Sequence, residues 1–108
     1  MAVFRNEKQW DASNVVVSDD LDRVLRYEKG GTDPALRYID YGATALRRST
    51  FEAESAPKDA PFGLDSVQHR LAKEGVMGAT IAQKRFFEIG SPQGLADLEA
   101  HLQESGER

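Results

Sequence analysis

Three short segments concentrate the side chains that can do chemistry. Tyr27-Glu28-Lys29 sets a carboxylate beside an ammonium just before two glycines, and Ile39-Asp40-Tyr41-Gly42 puts a carboxylate two residues ahead of a glycine. Phe86-Phe87-Glu88-Ile89-Gly90-Ser91-Pro92 carries a third carboxylate towards a helix start. Each ends a β-prone run with polar residues, and α/β proteins collect ligands at strand ends because loops there place charge without disturbing the core. An ammonium and carboxylates so placed suit the binding of a polar, charged ligand. Plainer readings stand beside this one. Glu28-Lys29 can be a solvated strand end entering a turn, Asp40 can face solvent or cap a loop, and Glu88 can be the polar side of a short strand.

Other candidates carry less. Asp19, Asp20 and Asp22 lack the spacing and the distal glutamate of an EF-hand loop and read as a hairpin turn. His69 and His101 lack the paired helical spacing of a zinc protease and read as solvent-facing, while Phe86 and Phe87 read as core anchors. With no cysteine, thiolate catalysis, disulfides and cysteine-ligated zinc are excluded.

The elements that must position these residues follow from periodicity and turn chemistry. Val3-Phe4 reads as a strand leading into a polar stretch to Gln9. Asn14 to Val17 and Val24 to Tyr27 read as a hairpin around the Asp-rich Ser18 to Asp22, followed by a Gly-Gly and proline turn from Glu28 to Pro34. Tyr38 to Leu46 alternates as a strand, with Ile39, Tyr41, Ala43 and Ala45 on one face. Gly42 interrupts it and marks a bulge or a close approach to the backbone. Glu52 to Pro61 reads as a surface connection. Leu64, Val67 and Leu71 recur at helical spacing, with Asp65 at the start, Lys73 near the end and Gly75 as the stop. Val76 to Ile81 and Phe86 to Ile89 read as strands. Ser91-Pro92 opens a last helix with Leu95, Leu98 and Leu102 as its buried stripe. Strands alternating with helices give an α/β layer without internal repeats.

Composition sets the limits. At 108 residues, 40% of them hydrophobic, the chain suffices for one core but not two. A net charge of -4 gives no basic field for nucleic acid, although Arg47-Arg48 can hold one phosphate. No apolar run suits a signal segment or a membrane span, so a cytoplasmic location is expected.

In their order, the three segments resemble the second half of the sugar-phosphate nucleotidyltransferases, which join a nucleoside triphosphate to a sugar 1-phosphate and release pyrophosphate. The resemblance spans nearly all of the chain and is most specific in Phe-Phe-Glu-Ile-Gly-Ser-Pro-Gln-Gly-Leu, similar to the family's aromatic-x-(Asp/Glu)-x-Gly-(Thr/Ser)-Pro segment. It implies that residues 1–108 are the C-terminal, acceptor- and metal-side part of a Rossmann-like nucleotidyltransferase domain, a mixed sheet with two main helices. Lys29 matches the lysine at the sugar 1-phosphate, where a cation reduces like-charge repulsion and fixes the angle of attack. Glu28 matches a carboxylate that accepts from sugar hydroxyls, Asp40 lines the acceptor side, and Gly42 matches the glycine that lets backbone approach the sugar. Glu88 stands where most of the family has an aspartate that helps hold magnesium; its extra methylene is a departure.

Nothing in the chain resembles the family's Gly-rich nucleotide loop with its Thr-Arg-Leu continuation. The expectation is a truncated chain, weak or inactive alone, with Met1 an internal methionine of a longer ancestral chain or the start of a split product. The alternatives are a non-catalytic sugar-phosphate-binding remnant and one half of a split enzyme, self-associating or paired with a separate N-terminal half. An unrelated α/β interaction module is the third reading.

Overall fold

The computed structural model describes residues 1–8, 11–52 and 60–106. Its strands are β1 (Ala2–Arg5), β2 (Val15–Val17), β3 (Val24–Tyr27), β4 (Tyr38–Asp40) and β5 (Thr80–Ile81). Its helices are α1 (Arg48–Glu52), α2 (Leu64–Lys73) and α3 (Pro92–Ser105). The five strands form one mixed sheet in the order β3-β2-β4-β1-β5.

The valine-rich hairpin forms as its pattern predicts. Val15 pairs with Tyr27, Val16 with Arg26 and Val17 with Val24, so one residue slips between the last two pairs and Leu25 is left out of the ladder. The Asp-rich turn satisfies itself: Asp20 Oδ1 accepts from the Ser18 hydroxyl and the Asp22 N–H. The Ser18 hydrogen bond, more than any other contact, holds the Asp20 carboxyl below its usual range. β4 sits between β2 and β1, antiparallel to both, while β5 runs parallel to β1. Just before β5, Met77 O accepts from Val24 N–H and Ala79 N–H donates to Asp22 O, both at 2.9 Å. That link draws the start of β3 towards β5 and curls the sheet.

α2 covers the face of the curl where apolar side chains alternate inward. Val67, Leu71 and Ala72 pack there with Val3, Val15, Val24, Tyr27, Tyr38 and Met77 in one buried cluster. Gly75, at φ 73°, turns the chain out of the helix as expected, since the left-handed region costs a glycine nothing. The periodicity of Val67 and Leu71 therefore reads through to packing.

Several expectations fail. The strand from Tyr38 stops at Asp40, because the Asp40 carboxylate captures the Gly42 N–H at 2.9 Å and Gly42 adopts φ 79°. Ala2 then accepts from Tyr41 N–H and donates to Ala43 O, so the chain bulges opposite one residue. The strand expected over Val76 to Ile81 is reduced to β5, with Gly78 as an isolated bridge to Arg23. Phe86 to Ile89 is not a strand; Phe86 packs edge-on against Tyr41 at 5.0 Å and Phe87 stacks on His101 at 4.5 Å. Both phenylalanines are half-buried rather than core anchors.

The last helix starts as predicted, with the Ser91 hydroxyl accepting from Gly94 N–H at 3.0 Å and Pro92 in first position. Its leucine stripe does not enter the core: Leu95 is exposed, and Leu98 and Leu102 are half-buried. α3 packs instead on its own approach segment, through an Arg85–Asp97 ion pair at 3.0 Å and the Phe87–His101 stack. Residues 82–106 thus form an arm beside the curled sheet. Most of the connection expected over Glu52 to Pro61 lies outside the described residues. No described helix is long and apolar enough to cross a membrane.

Candidate functional site

A cavity of about 500 Å³ opens between the sheet and the arm. Asn14, Lys29 and the turn from Ile39 to Gly42 form the sheet-side wall, and Phe86, Phe87 and Glu88 form the arm-side wall. Four of the five residues singled out from sequence, Lys29, Asp40, Gly42 and Glu88, therefore line one space. They come from three separate segments, joined because β3 and β4 both flank β2 and because Tyr41 ties the arm down. The Tyr41 hydroxyl donates to Lys84 O at 2.8 Å, next to its edge contact with Phe86.

Glu28 goes elsewhere. Just past the end of β3, it lies two residues from Arg26, and its carboxylate accepts from Arg26 Nη2 at 2.6 Å. Arg26 also reaches Asp33 at 2.9 Å, and these carboxylates, Glu28 first, hold its guanidinium above the usual value. Glu28 does not line the cavity.

Asp40 lines it but spends its carboxylate locally. Oδ1 accepts from Gly42 N–H, Oδ2 from Gln68 Nε2 at 3.2 Å, and the Asp40 N–H donates to Asn14 Oδ1 at 2.9 Å. Gln68 is nearly fully buried on α2, so Asp40 ties the turn to the helix. Its charge also helps raise the Tyr27 hydroxyl above the ordinary tyrosine value, behind burial as the main cause. Gly42 has no atom within 4 Å of where a Cβ would stand, so the backbone there is open. Lys29 and Glu88 are exposed, and among the described residues neither has an ion-pair partner.

Two further spaces adjoin. One of about 370 Å³ is lined by Arg85, Ser91 and Asp97, and Asp11 and Glu88 stand between it and the site. The other, about 670 Å³, lies beyond Asp11 and Ala12. Of its charged lining residues, Arg5 is paired with Glu7 and Asp33 with Arg26.

Among the described residues no three metal-ligating side chains converge. Glu88 thus cannot anchor a closed protein cage for a cation. Magnesium does not demand one, since it commonly takes one or two carboxylates and completes its shell with substrate phosphates and water. Glu88, with Asp11 lining the same cavity, fits that limited donor set.

Asn14 and Asp11 escaped sequence reasoning. A signal existed for Asn14: asparagine is depleted in strands, yet it stands directly before three valines. No family model matches the chain, and comparison with curated proteins and with solved structures gives no match.

Proposed function

We propose that the cavity is the acceptor side of a sugar-phosphate nucleotidyltransferase site, holding a sugar 1-phosphate for attack on a nucleoside triphosphate. In this reading residues 1–108 are the C-terminal part of a Rossmann-like nucleotidyltransferase domain in the cytoplasm. The observation that carries it is the uncommitted pair, Lys29 and Glu88, on facing walls of one cavity.

Lys29 binds the acceptor phosphate and offsets repulsion between two anionic reactants. The open backbone at Gly42 lets the sugar approach the turn that Asp40 holds. Glu88 supplies carboxylate oxygens to magnesium, which when bound neutralises charge on the phosphate oxygens. The sugar phosphate oxygen attacks the α-phosphorus, a new P–O bond forms, and pyrophosphate leaves with the electron pair of the broken one.

The test is calorimetric titration of the 108-residue chain with α-D-glucose 1-phosphate and α-D-mannose 1-phosphate, for the parent and Lys29→Ala. A charge-assisted hydrogen bond contributes about 1.5–3 kcal/mol, so Lys29→Ala should weaken binding about tenfold or more. No binding, or equal binding by Lys29→Ala, overturns the proposal. A second reading keeps the cavity and drops the transfer, leaving a sugar-phosphate binder or one half of a split enzyme. The commitment of Glu28 to Arg26 and of Asp40 to Gly42 and Gln68 favours it, and pyrophosphate release by the chain alone, abolished by Lys29→Ala, would eliminate it.

A further inference from the structure

Asn14 is held on three sides. Its N–H donates to Tyr38 O at 2.9 Å, its C=O accepts from Glu28 N–H at 2.8 Å, and its side-chain Oδ1 accepts from Asp40 N–H at 2.9 Å. The last bond fixes which way the amide points, because the reverse orientation would set NH2 against N–H. Nδ2 is therefore the free end, carrying two N–H groups for which the described residues provide no acceptor. Asn14 is half-buried and lines the cavity beside Lys29. Nδ2 is open to the cavity rather than sealed from water, so a ligand oxygen would replace solvent there, and the clamped geometry means little entropy is lost when one arrives.

We infer that Asn14 is a ligand-binding residue of this cavity, donating from Nδ2 to an acceptor oxygen of the bound molecule. The inference rests on the sugar-phosphate reading above and adds a recognition element to it. Lys29 and Asn14 present donors from one wall, Glu88 presents an acceptor from the other, and Asp40 keeps its carboxylate turned to Gln68 and Gly42. That layout suits a polyhydroxylated molecule with an anionic end: phosphate or hydroxyl oxygens meet the donors, and a hydroxyl proton meets Glu88. Asn14 also links the strand end before Lys29 to the turn at Asp40, so occupancy at Nδ2 reports on both.

Asn14→Asp separates recognition from architecture. A carboxylate still accepts the Asp40 N–H, but its second oxygen offers lone pairs where the ligand needs N–H. The parent chain and Asn14→Asp are titrated at pH 8 with α-D-glucose 1-phosphate and, separately, inorganic phosphate, at low salt and at 0.5 M salt. The expected result is an unchanged melting temperature with affinity for the sugar phosphate reduced about tenfold or more at both salt levels. Loss for both probes assigns the contact to a phosphate oxygen; loss for the sugar phosphate alone assigns it to a carbohydrate oxygen. A defect that disappears at 0.5 M salt is charge repulsion and overturns the inference, since screening does not restore a missing donor. Parent binding with Asn14→Asp binding equally overturns the inference alone, whereas a parent that binds neither probe overturns the sugar-phosphate reading with it.

Discussion

Gly94 gives a test in which two physical effects predict opposite signs. It is the third residue of α3, and its N–H donates to the Ser91 hydroxyl that caps the helix. Propensity alone says that Gly94→Ala should stabilise the helix by about 1 kcal/mol. The packing says otherwise: an added Cβ falls well inside 3.0 Å of the Glu88 carbonyl oxygen and 3.3 Å from Ser91 Oγ. A backbone carbonyl cannot swing aside as a long side chain can, so the Glu88 peptide or the first turn of α3 must shift. Overpacking costs about 1–3 kcal/mol and a disturbed N-cap about 1 kcal/mol, which leaves a net loss of about 1–3 kcal/mol after the propensity gain. α3 has no fully buried residue and lies outside the core cluster, so the loss falls on the arm and not on global melting. Amide hydrogen exchange of α3 is the fitting assay, and the expected acceleration is roughly five- to 150-fold. Slower exchange in Gly94→Ala would refute the close approach of helix and Glu88. Binding of α-D-glucose 1-phosphate should weaken alongside, because the same contact sets the arm-side wall.

Tyr41→Phe removes the 2.8 Å hydrogen bond to Lys84 O but keeps the ring against Phe86; α3 amides should exchange roughly two- to tenfold faster, for a loss of about 0.5–1.5 kcal/mol. Gly42→Ala meets no atom within 4 Å, so its cost is the left-handed backbone alone, about 1–2 kcal/mol, read as a melting temperature lower by about 4–8 °C. The Asp97 carboxyl lies below its usual range, through the Gln93 hydrogen bond first and that of Arg85 second. A depressed folded value means that its contribution is present above the ordinary aspartate range and is lost as pH falls through it. The Phe87 and His101 proton shifts should therefore report undocking below about pH 4, and Asp97→Asn should remove that dependence.

What the sequence shows and hides follows from how local each cause is. The hairpin and α2 were legible because valines at β spacing and Val67 and Leu71 at helical spacing face one core, and Gly75 ends the helix by its own conformation. The end of β4 was not, because alternation continues through Ala45 while the Asp40 side chain competes for the Gly42 N–H. Leu95, Leu98 and Leu102 give the right period, but a period does not say what the stripe meets. Phe86 and Phe87 have strand-forming side chains but pair with no strand among the described residues. Within the site, the diversion of Glu28 was readable: Arg26 stands two residues earlier, within reach of an ion pair. Asn14 was much harder, since its importance lies in a hydrogen bond to a residue 26 positions away.

The two walls of the cavity differ in what holds them. Asn14, bonded to Tyr38, Glu28 and Asp40, and Lys29, just past β3, belong to the sheet side, whereas Glu88 belongs to an arm attached through Tyr41 and packed mainly on itself. A ligand that touches both walls binds only the docked arm, and at a hundredfold excess over its Kd it adds about 2.7 kcal/mol to docking. A ligand held by Lys29 and Asn14 alone adds nothing. Saturating α-D-glucose 1-phosphate with magnesium should therefore slow exchange of α3 amides by up to roughly 100-fold, and Glu88→Gln should reduce that protection while sparing part of the binding. Binding without any slowing in α3 would remove Glu88 from the site and leave the sheet-side wall to act by itself.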